Sequence, residues 1–139
     1  MGARKHNTAQ ARKEANKTIY FAKLNNCPTS PRKMRLMADL VRGHGVEKAL
    51  NMLKFKPNQA AERLYKLILS AINNWQEKNE GVRMEESNLY VKLVLVDSAR
   101  QLKRIRPAPQ GRAHRIRKRS NHVTVVVDSR KVELVDAQQ

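Results

Sequence analysis

The residues whose types and spacing could do chemistry form one positively charged stretch in the last third of the chain. Residues 98–127 contain no Asp or Glu. Nine Lys and Arg side chains occur there: Arg100, Lys103, Arg104, Arg106, Arg112, Arg115, Arg117, Lys118 and Arg119. A guanidinium group can bind phosphate bidentately and stack on an exposed base. The stretch therefore predicts contact with nucleic acid. The alternative is a disordered, solvated basic loop, and charge of a single sign argues against it.

Composition points to the same class of partner. The chain has 139 residues, which suggests one domain, and a net charge of +17 with a pI near 10.7. Self-repulsion at this charge disfavours a compact state, and nucleic acid supplies the phosphates that neutralise it. Apolar runs such as residues 123–127 are too short to span a bilayer, and no signal peptide follows Met1. We expect a cytoplasmic protein with no membrane partner.

Catalytic or metal chemistry finds little support in the remaining residues. The four histidines are scattered over tail, loop, arm and strand: His6, His44, His114 and His122. Cys27 is the single cysteine, so no metal-ligand spacing occurs. Glu85 and Glu86 are adjacent, and neighbours in extended chain point to opposite sides. We therefore predict no enzyme, no metal and no cofactor, with His114 acting as a further RNA contact.

Apolar periodicity predicts three helices ahead of the basic stretch. The first begins at Ser30-Pro31, because Ser is a favoured N-cap and Pro suits the first turn, and it ends at Gly43. A shorter second helix ends before Pro57, and a third runs from Asn58 to near Gly81. Their apolar positions are Met34, Met37, Ala38 and Val41; Val46, Ala49, Leu50 and Leu53; and Ala61, Leu64, Tyr65, Ile68, Ala71, Ile72 and Trp75.

The pattern around the basic stretch is that of strands. Residues 19–24 predict a short strand, residues 89–96 a strand buried on both faces, and residues 122–127 a matching run. Between the last two, residues 107–111 form a turn signal. One antiparallel hairpin follows, with arms that extend roughly 40 Å from the core. A two-stranded ribbon is marginal in water, so we expect this one to be ordered only among phosphates.

Two separated motifs carry a resemblance to a known family. The first is the segment CPTSPRKMRLMADLVRG, residues 27–43. The second combines Lys103-Arg104-Ile105, Gly111-Arg112-Ala113, Arg115-Ile116 and Lys118-Arg119 with residues 122–127. In order and spacing, both resemble the bacterial large-subunit ribosomal protein L-twenty-two family, over roughly residues 19–130. Ala108 and Pro109 depart from the family pattern, which usually has a basic residue and a small one there, and the two prolines indicate a stiffer turn.

The resemblance implies an α+β fold: three helices packed on a small three-stranded antiparallel sheet, with a long protruding β-hairpin at about residues 98–121. Residues 19–130 would be one globular domain. Residues 1–18 are polar and basic, which by itself predicts a flexible tail that orders on its partner, and residues 131–139 form a C-terminal tail; both ends exceed the usual family length. The domain would sit near the polypeptide exit of the large ribosomal subunit. The hairpin would thread between domains of 23S rRNA, assist early assembly and line the exit tunnel.

The implied partners are 23S rRNA, neighbouring large-subunit proteins and the nascent polypeptide at the tunnel wall. The residues expected to bind rRNA are Arg32, Lys33, Arg35, Arg100, Lys103, Arg104, Arg106, Arg112, His114, Arg115, Arg117, Lys118 and Arg119. The residues expected at the tunnel tip are Pro107, Ala108, Pro109, Gln110 and Gly111.

Composition alone leaves a second nucleic-acid hypothesis open, a module for DNA or double-stranded RNA outside the ribosome. Such a module presents a recognition helix or an exposed sheet face. Here the helices carry apolar stripes and the charge sits on a ribbon. A nuclease would need clustered carboxylates for metal, and the acids of this chain are scattered.

Overall fold

Helices α1–α4 and strands β1–β3 make up the described part of the chain, residues 3–79 and 87–130 of the computed structural model. In chain order they are α1 (Ala3–Lys17), β1 (Tyr20–Cys27), α2 (Pro31–Val41), α3 (Val46–Lys54), α4 (Gln59–Lys78), β2 (Leu89–Pro107) and β3 (Ala113–Ser129). Gly81, the Glu85-Glu86 pair and the tail at residues 131–139 lie outside the described residues.

The three strands form one antiparallel sheet in the order β1-β3-β2. Side chains alternate between its two faces, so Ala22, Val125 and Val94 stand side by side and are buried. Helices α2, α3 and α4 supply the other half of the core. The predicted α+β fold, with helices on a three-stranded sheet and a long hairpin, is confirmed.

Helix α4 contributes the largest share of the helical core. Leu64, Ile68 and Trp75 follow one another at helical spacing, and all three are buried. Asn58 stands at the N-cap position, as the sequence predicted. The helix ends at Lys78, slightly earlier than expected.

The connection between α2 and α3 fixes the outer edge of the sheet. Gly43 has φ of +78°, the left-handed conformation predicted for the end of this helix. Its N–H donates to the Val91 carbonyl at 2.9 Å, and the Val91 N–H donates to the His44 carbonyl at 2.9 Å. This connection therefore satisfies backbone groups that an edge strand leaves unpaired.

Strand β2 differs from the prediction that residues 89–96 are buried on both faces. Val91, Val94 and Val96 are buried, whereas Leu93 is 39% and Leu95 46% exposed. The expectation of two buried faces was wrong, because the helices cover only one side of the sheet. Phe21 lies on the same open face and is 47% exposed.

Helix α1 is the element that the sequence analysis did not predict. Four alanines give residues 3–17 high intrinsic helix propensity, yet the helix has no buried residue. The apolar periodicity that predicted the other three helices is missing from residues 3–17, because α1 packs no face against the core.

Candidate nucleic-acid interface

The basic arm, residues 98–121, is a continuation of β2 and β3 beyond the core. Pairing runs from Gln101 opposite Arg119 to Pro107 opposite Ala113. At its base the register shifts between Ser98 and Gln101, which gives β2 one extra residue. Such a bulge bends and twists the strand that carries it. The arm thus leaves the core through an irregular joint and then pairs regularly.

The register of the arm places two cations directly opposite each other at one position. Lys103 is paired with Arg117, whereas Arg104 is paired with the neutral Ile116. Like charges directly opposite in antiparallel strands are destabilising. Electrostatic repulsion between the Lys103 and Arg117 side chains therefore opposes strand pairing in the arm, and a bound polyanion would reduce this repulsion.

Both faces of the arm carry cations, which the sequence alone did not show. Alternation along the paired strands defines a first face and a second face. The first face holds Lys103, Ile105, Arg115, Arg117 and Arg119, and the second holds Leu102, Arg104, Arg106, His114, Ile116 and Lys118. Arg100 belongs to the bulge and Arg112 to the turn. An anion that neutralises the arm must approach it from both sides.

Within the described residues, no cation of the arm has a carboxylate partner, and the ion pairs lie elsewhere. Lys66 donates to Glu62 at 2.7 Å, and this hydrogen bond lowers the pKa of the Glu62 carboxyl. The hydrogen bond to Asp128, at 2.6 Å, raises the pKa of Lys92. Charges on the domain are thus partly paired, whereas those of the arm face solvent.

The tip of the arm is a short neutral turn. The Ala108 N–H donates to the Arg112 carbonyl at 2.9 Å and closes it. Inside the turn, Gln110 and Gly111 have φ of 61° and 70°, and Pro109 fixes the preceding backbone angle. The five residues between Arg106 and Arg112 carry no charge. The predicted turn at residues 107–111 is therefore confirmed, and its surface is uncharged and stiff.

The base of the arm is anchored by Asn121, a residue that the sequence analysis did not single out. Asn121 is fully buried, and its Nδ2 donates to the Thr29 carbonyl at 2.7 Å and to Thr29 Oγ1 at 2.8 Å. Thr29 Oγ1 lies 3.2 Å from Cys27 Sγ, which accepts from Arg63 Nη1 at 3.1 Å. These contacts join β3, the segment before α2, and α4 at the point where the arm begins.

The predicted cations of α2 lie beside this anchor, since α2 begins directly after Thr29 and Ser30. Arg32 and Lys33 are exposed in its first turn. Arg35 is exposed too, but its Nη2 donates to the Val96 carbonyl at 3.1 Å. Arg42, which was not predicted to have a role, makes the same kind of contact to the Val94 carbonyl at 3.0 Å. Two arginines thus cover the free edge of β2 with hydrogen bonds to its carbonyls, and no sequence motif predicts this role.

The predicted site residues therefore form two groups. The ten on the arm share one ribbon, and Arg32, Lys33 and Arg35 share the start of α2 near its base. In the described ranges, no cluster of His, Cys, Asp and Glu side chains could hold a metal ion. None of the helices in the same ranges combines the length and apolar character that a bilayer crossing requires.

These features define a class of protein, a small α+β domain that extends a basic β-ribbon. Residues 22–128 match the model of the family described as ribosomal protein L22p/L17e. The chain therefore belongs to the ribosomal protein L22p/L17e family, which is a family of structural proteins of the large ribosomal subunit and not of enzymes. The family resemblance and the absence of enzymatic function expected from the sequence are both confirmed.

Several curated relatives named large ribosomal subunit protein uL22 are similar over almost the whole chain. The one from Flavobacterium johnsoniae is 68% identical over 127 residues, which is 91% of this chain and 93% of the relative. The one from Porphyromonas gingivalis is 62% identical over 129 residues, 93% of this chain and 96% of the relative. The one from Bacteroides fragilis (strain YCH46) is 60% identical over 130 residues, 94% and 95% respectively.

Proposed function

We propose that the arm of this large-subunit protein binds 23S rRNA with both of its faces and lines the polypeptide exit tunnel. The domain would lie near the tunnel exit, in contact with neighbouring ribosomal proteins of the cytoplasmic ribosome. By holding several rRNA domains together, the protein would assist early subunit assembly. The observation that carries the proposal is the two-sided charge of a ribbon that has no acid of its own.

Two-sided charge distinguishes embedding in RNA from docking into a groove. A groove reader turns one face to the nucleic acid, so its second face gains nothing from cations. Here Lys103 and Arg117 lie on the first face, and Arg104 and Lys118 on the second. Folded rRNA supplies phosphates on both sides of an inserted ribbon. Such surroundings offset the repulsion within the arm.

The start of α2 offers a second contact at the base of the arm. Arg32 and Lys33 are exposed there. Arg35 uses one nitrogen on the Val96 carbonyl, and its guanidinium has further donors for phosphate. Contacts at the base and along the arm would reach separate RNA segments. That arrangement supports the role of a bridge between rRNA domains.

The neutral tip suits the tunnel wall. A nascent chain passes with every kind of side chain, and a charged tip would retain chains of opposite sign. The segment from Pro107 to Gly111 carries no charge and is flanked by Arg106 and Arg112. These flanking arginines would hold RNA while the turn faces the passing polypeptide.

Salt dependence of binding to 23S rRNA tests the two-sided contact. If six of the nine arm cations meet phosphates, the arm should contribute roughly −4 to −5 to the slope of log K against log salt, at 0.7 to 0.9 per contact. The double variant Lys103→Gln/Arg117→Gln removes two cations from the first face. Arg104→Gln/Lys118→Gln does the same on the second face. Each should reduce the magnitude of the slope by about 1.4 to 1.8.

The matched control is Lys48→Gln/Lys54→Gln, which removes two exposed charges from α3 and should leave the slope nearly unchanged. A loss confined to one face of the arm would indicate groove binding and contradict embedding. A slope that none of the arm variants alters would refute RNA binding by the arm.

A further inference from the structure

Helix α1 is attached to the domain at the end of the sheet that is remote from the arm. It precedes β1, whose first residue, Tyr20, is paired with Val127 near the end of β3. The arm occupies the opposite end of β3, which starts at Ala113. At about 3.3 Å per residue, the intervening strand spans roughly 45 Å. A partner of α1 is therefore a different contact from any partner at the arm tip.

The surface of α1 is basic and without an apolar stripe. All its residues are exposed, with five Lys and Arg against Glu14 alone: Arg4, Lys5, Arg12, Lys13 and Lys17. In the described part of the chain, none of these five side chains forms an ion pair. A helix that binds a membrane surface or a protein groove needs an apolar face. A partner for α1 must therefore be recognised by charge.

The junction between α1 and the domain has a defined geometry. Lys78 Nζ donates to the Ile19 carbonyl at 3.1 Å and to the Lys17 carbonyl at 3.4 Å. The same ammonium group lies 5.4 Å from the centre of the Tyr20 ring. Beside it is a shallow cleft, open to solvent, that is lined by Lys13, Asn16, Lys17, Tyr20 and Lys78. Three lysines and no acid line this cleft. Lys78 already donates to two carbonyls, so Lys13 and Lys17 are the side chains that would bind a phosphate group.

We propose that α1 and this cleft form a further RNA-binding surface of the protein, separate from the arm and from the start of α2. The identity of the partner as RNA rests on the proposed function, because a large-subunit protein is surrounded by rRNA phosphates. The chain would then hold RNA at both ends of its sheet. Segments of RNA roughly 45 Å apart would be connected through β3.

The energetics of α1 also favour an anionic partner. Isolated helices of this length are marginal in water, and α1 has no packed face to support it. Lys13 and Lys17 are four residues apart, where like charges are destabilising. Phosphates in contact with them would convert this repulsion into attraction. Bound RNA should therefore increase the helicity of residues 3–17.

The test compares two triple variants of the full-length protein. Arg12→Gln/Lys13→Gln/Lys17→Gln removes three cations from α1 and its cleft. Lys48→Gln/Lys54→Gln/Lys56→Gln removes the same charge from exposed positions in and after α3. The α1 variant should reduce the magnitude of the salt slope for 23S rRNA binding by about 2 to 3, whereas the control should change it little.

Hydroxyl-radical footprinting of purified large subunits provides the second measurement. The α1 variant should lose protection of an RNA segment that variants of the arm leave protected. A slope unchanged by the α1 variant, or reduced no more than by the control, would overturn the proposal. The proposal would also be overturned if the RNA stayed fully protected in the α1 variant while chemical crosslinks between α1 and an acidic neighbouring protein were lost. If instead only the arm variants lack effect, the proposed function of the arm fails while the α1 surface stands.

Discussion

Strands β2 and β3 pass through two different environments, the core and the arm. In the core, Val94 is paired with Val125, and both side chains are buried beneath helices. In the arm, Lys103 is paired with Arg117, and both side chains are exposed. The backbone pairing is the same in both regions. The core pair gains free energy from apolar burial, whereas the arm pair loses free energy to repulsion.

The difference shows that one pair of strands can contain a self-sufficient part and a dependent part. The core is stabilised by contacts within the chain, and Asn121 closes it where the arm begins. In the arm, the strands are paired in a defined register but bury little apolar surface, since Ile105 is 73% and Leu102 50% exposed. Stabilisation of the arm must then come from its partner.

The largest expected difference between the two regions is in amide exchange of the free protein. Core amides such as those of Val125 and Val127 should exchange only through global unfolding, which costs about 5–15 kcal/mol in domains of this kind. Amides from Gln101 to Ile116 should exchange almost as fast as in an unfolded peptide. Hydrogen exchange followed by mass spectrometry measures both regions in one sample. Strong protection of the arm without RNA would show that the ribbon is stable by itself.

A matched pair of substitutions measures the same contrast in free energy of unfolding. Ile68 is fully buried in α4, so Ile68→Ala should cost about 2–5 kcal/mol by opening a cavity. Ile105 is largely exposed on the arm, and Ile105→Ala should change the free energy of unfolding by less than about 0.5 kcal/mol. Urea unfolding of both variants provides the values. A loss below about 1 kcal/mol for Ile68→Ala would mean that this face of α4 is not core.

The sequence predicted those elements whose formation is coupled to burial. Helices α2 and α4 have regular apolar stripes with clear start signals at Ser30-Pro31 and Asn58, and both were placed closely. Helix α1 has no such stripe, so its alanine-rich sequence was interpreted as a tail. The open face of β2 was also missed, because a run of apolar residues does not say on which side helices pack.

Parts of the candidate site depend on register and on backbone atoms, and these are invisible in a sequence. Which residues of the arm are paired with each other depends on the bulge between Ser98 and Gln101, which no residue pattern predicts. Arg35 was expected to bind RNA because it lies in the motif that resembles the family. Its hydrogen bond to the Val96 carbonyl depends on the packing of α2 beside the edge of the sheet, which the sequence does not show.

A small effect on stability is also expected from removal of the arm itself. Deletion of residues 102–113 should leave a folded protein, because the core pairs between β2 and β3 remain and residues 114–118 can join Gln101 to Arg119. A shorter loop closes at slightly lower entropic cost, about 0.6 kcal/mol for each halving of its length. The free energy of unfolding should therefore change by less than about 1 kcal/mol.

If the arm lines the exit tunnel as proposed, the same deletion should change the tunnel more than the docking of the domain. Arg32 and Lys33 at the start of α2, together with residues 117–119, would still hold RNA at the base of the arm. Contacts deep inside the subunit would be lost, and with them the neutral turn at the tunnel wall.

Three measurements test the deletion. Circular dichroism reports whether the truncated protein folds, its recovery in purified large subunits reports docking, and the rate of nascent-chain passage reports the change in the tunnel. The variant Lys103→Gln/Arg117→Gln, which keeps the full length of the arm, is the control for tunnel dimensions. A truncated chain that folds but is missing from subunits would show that the arm is needed for docking, and the division between a self-sufficient core and a dependent arm would then not extend to assembly.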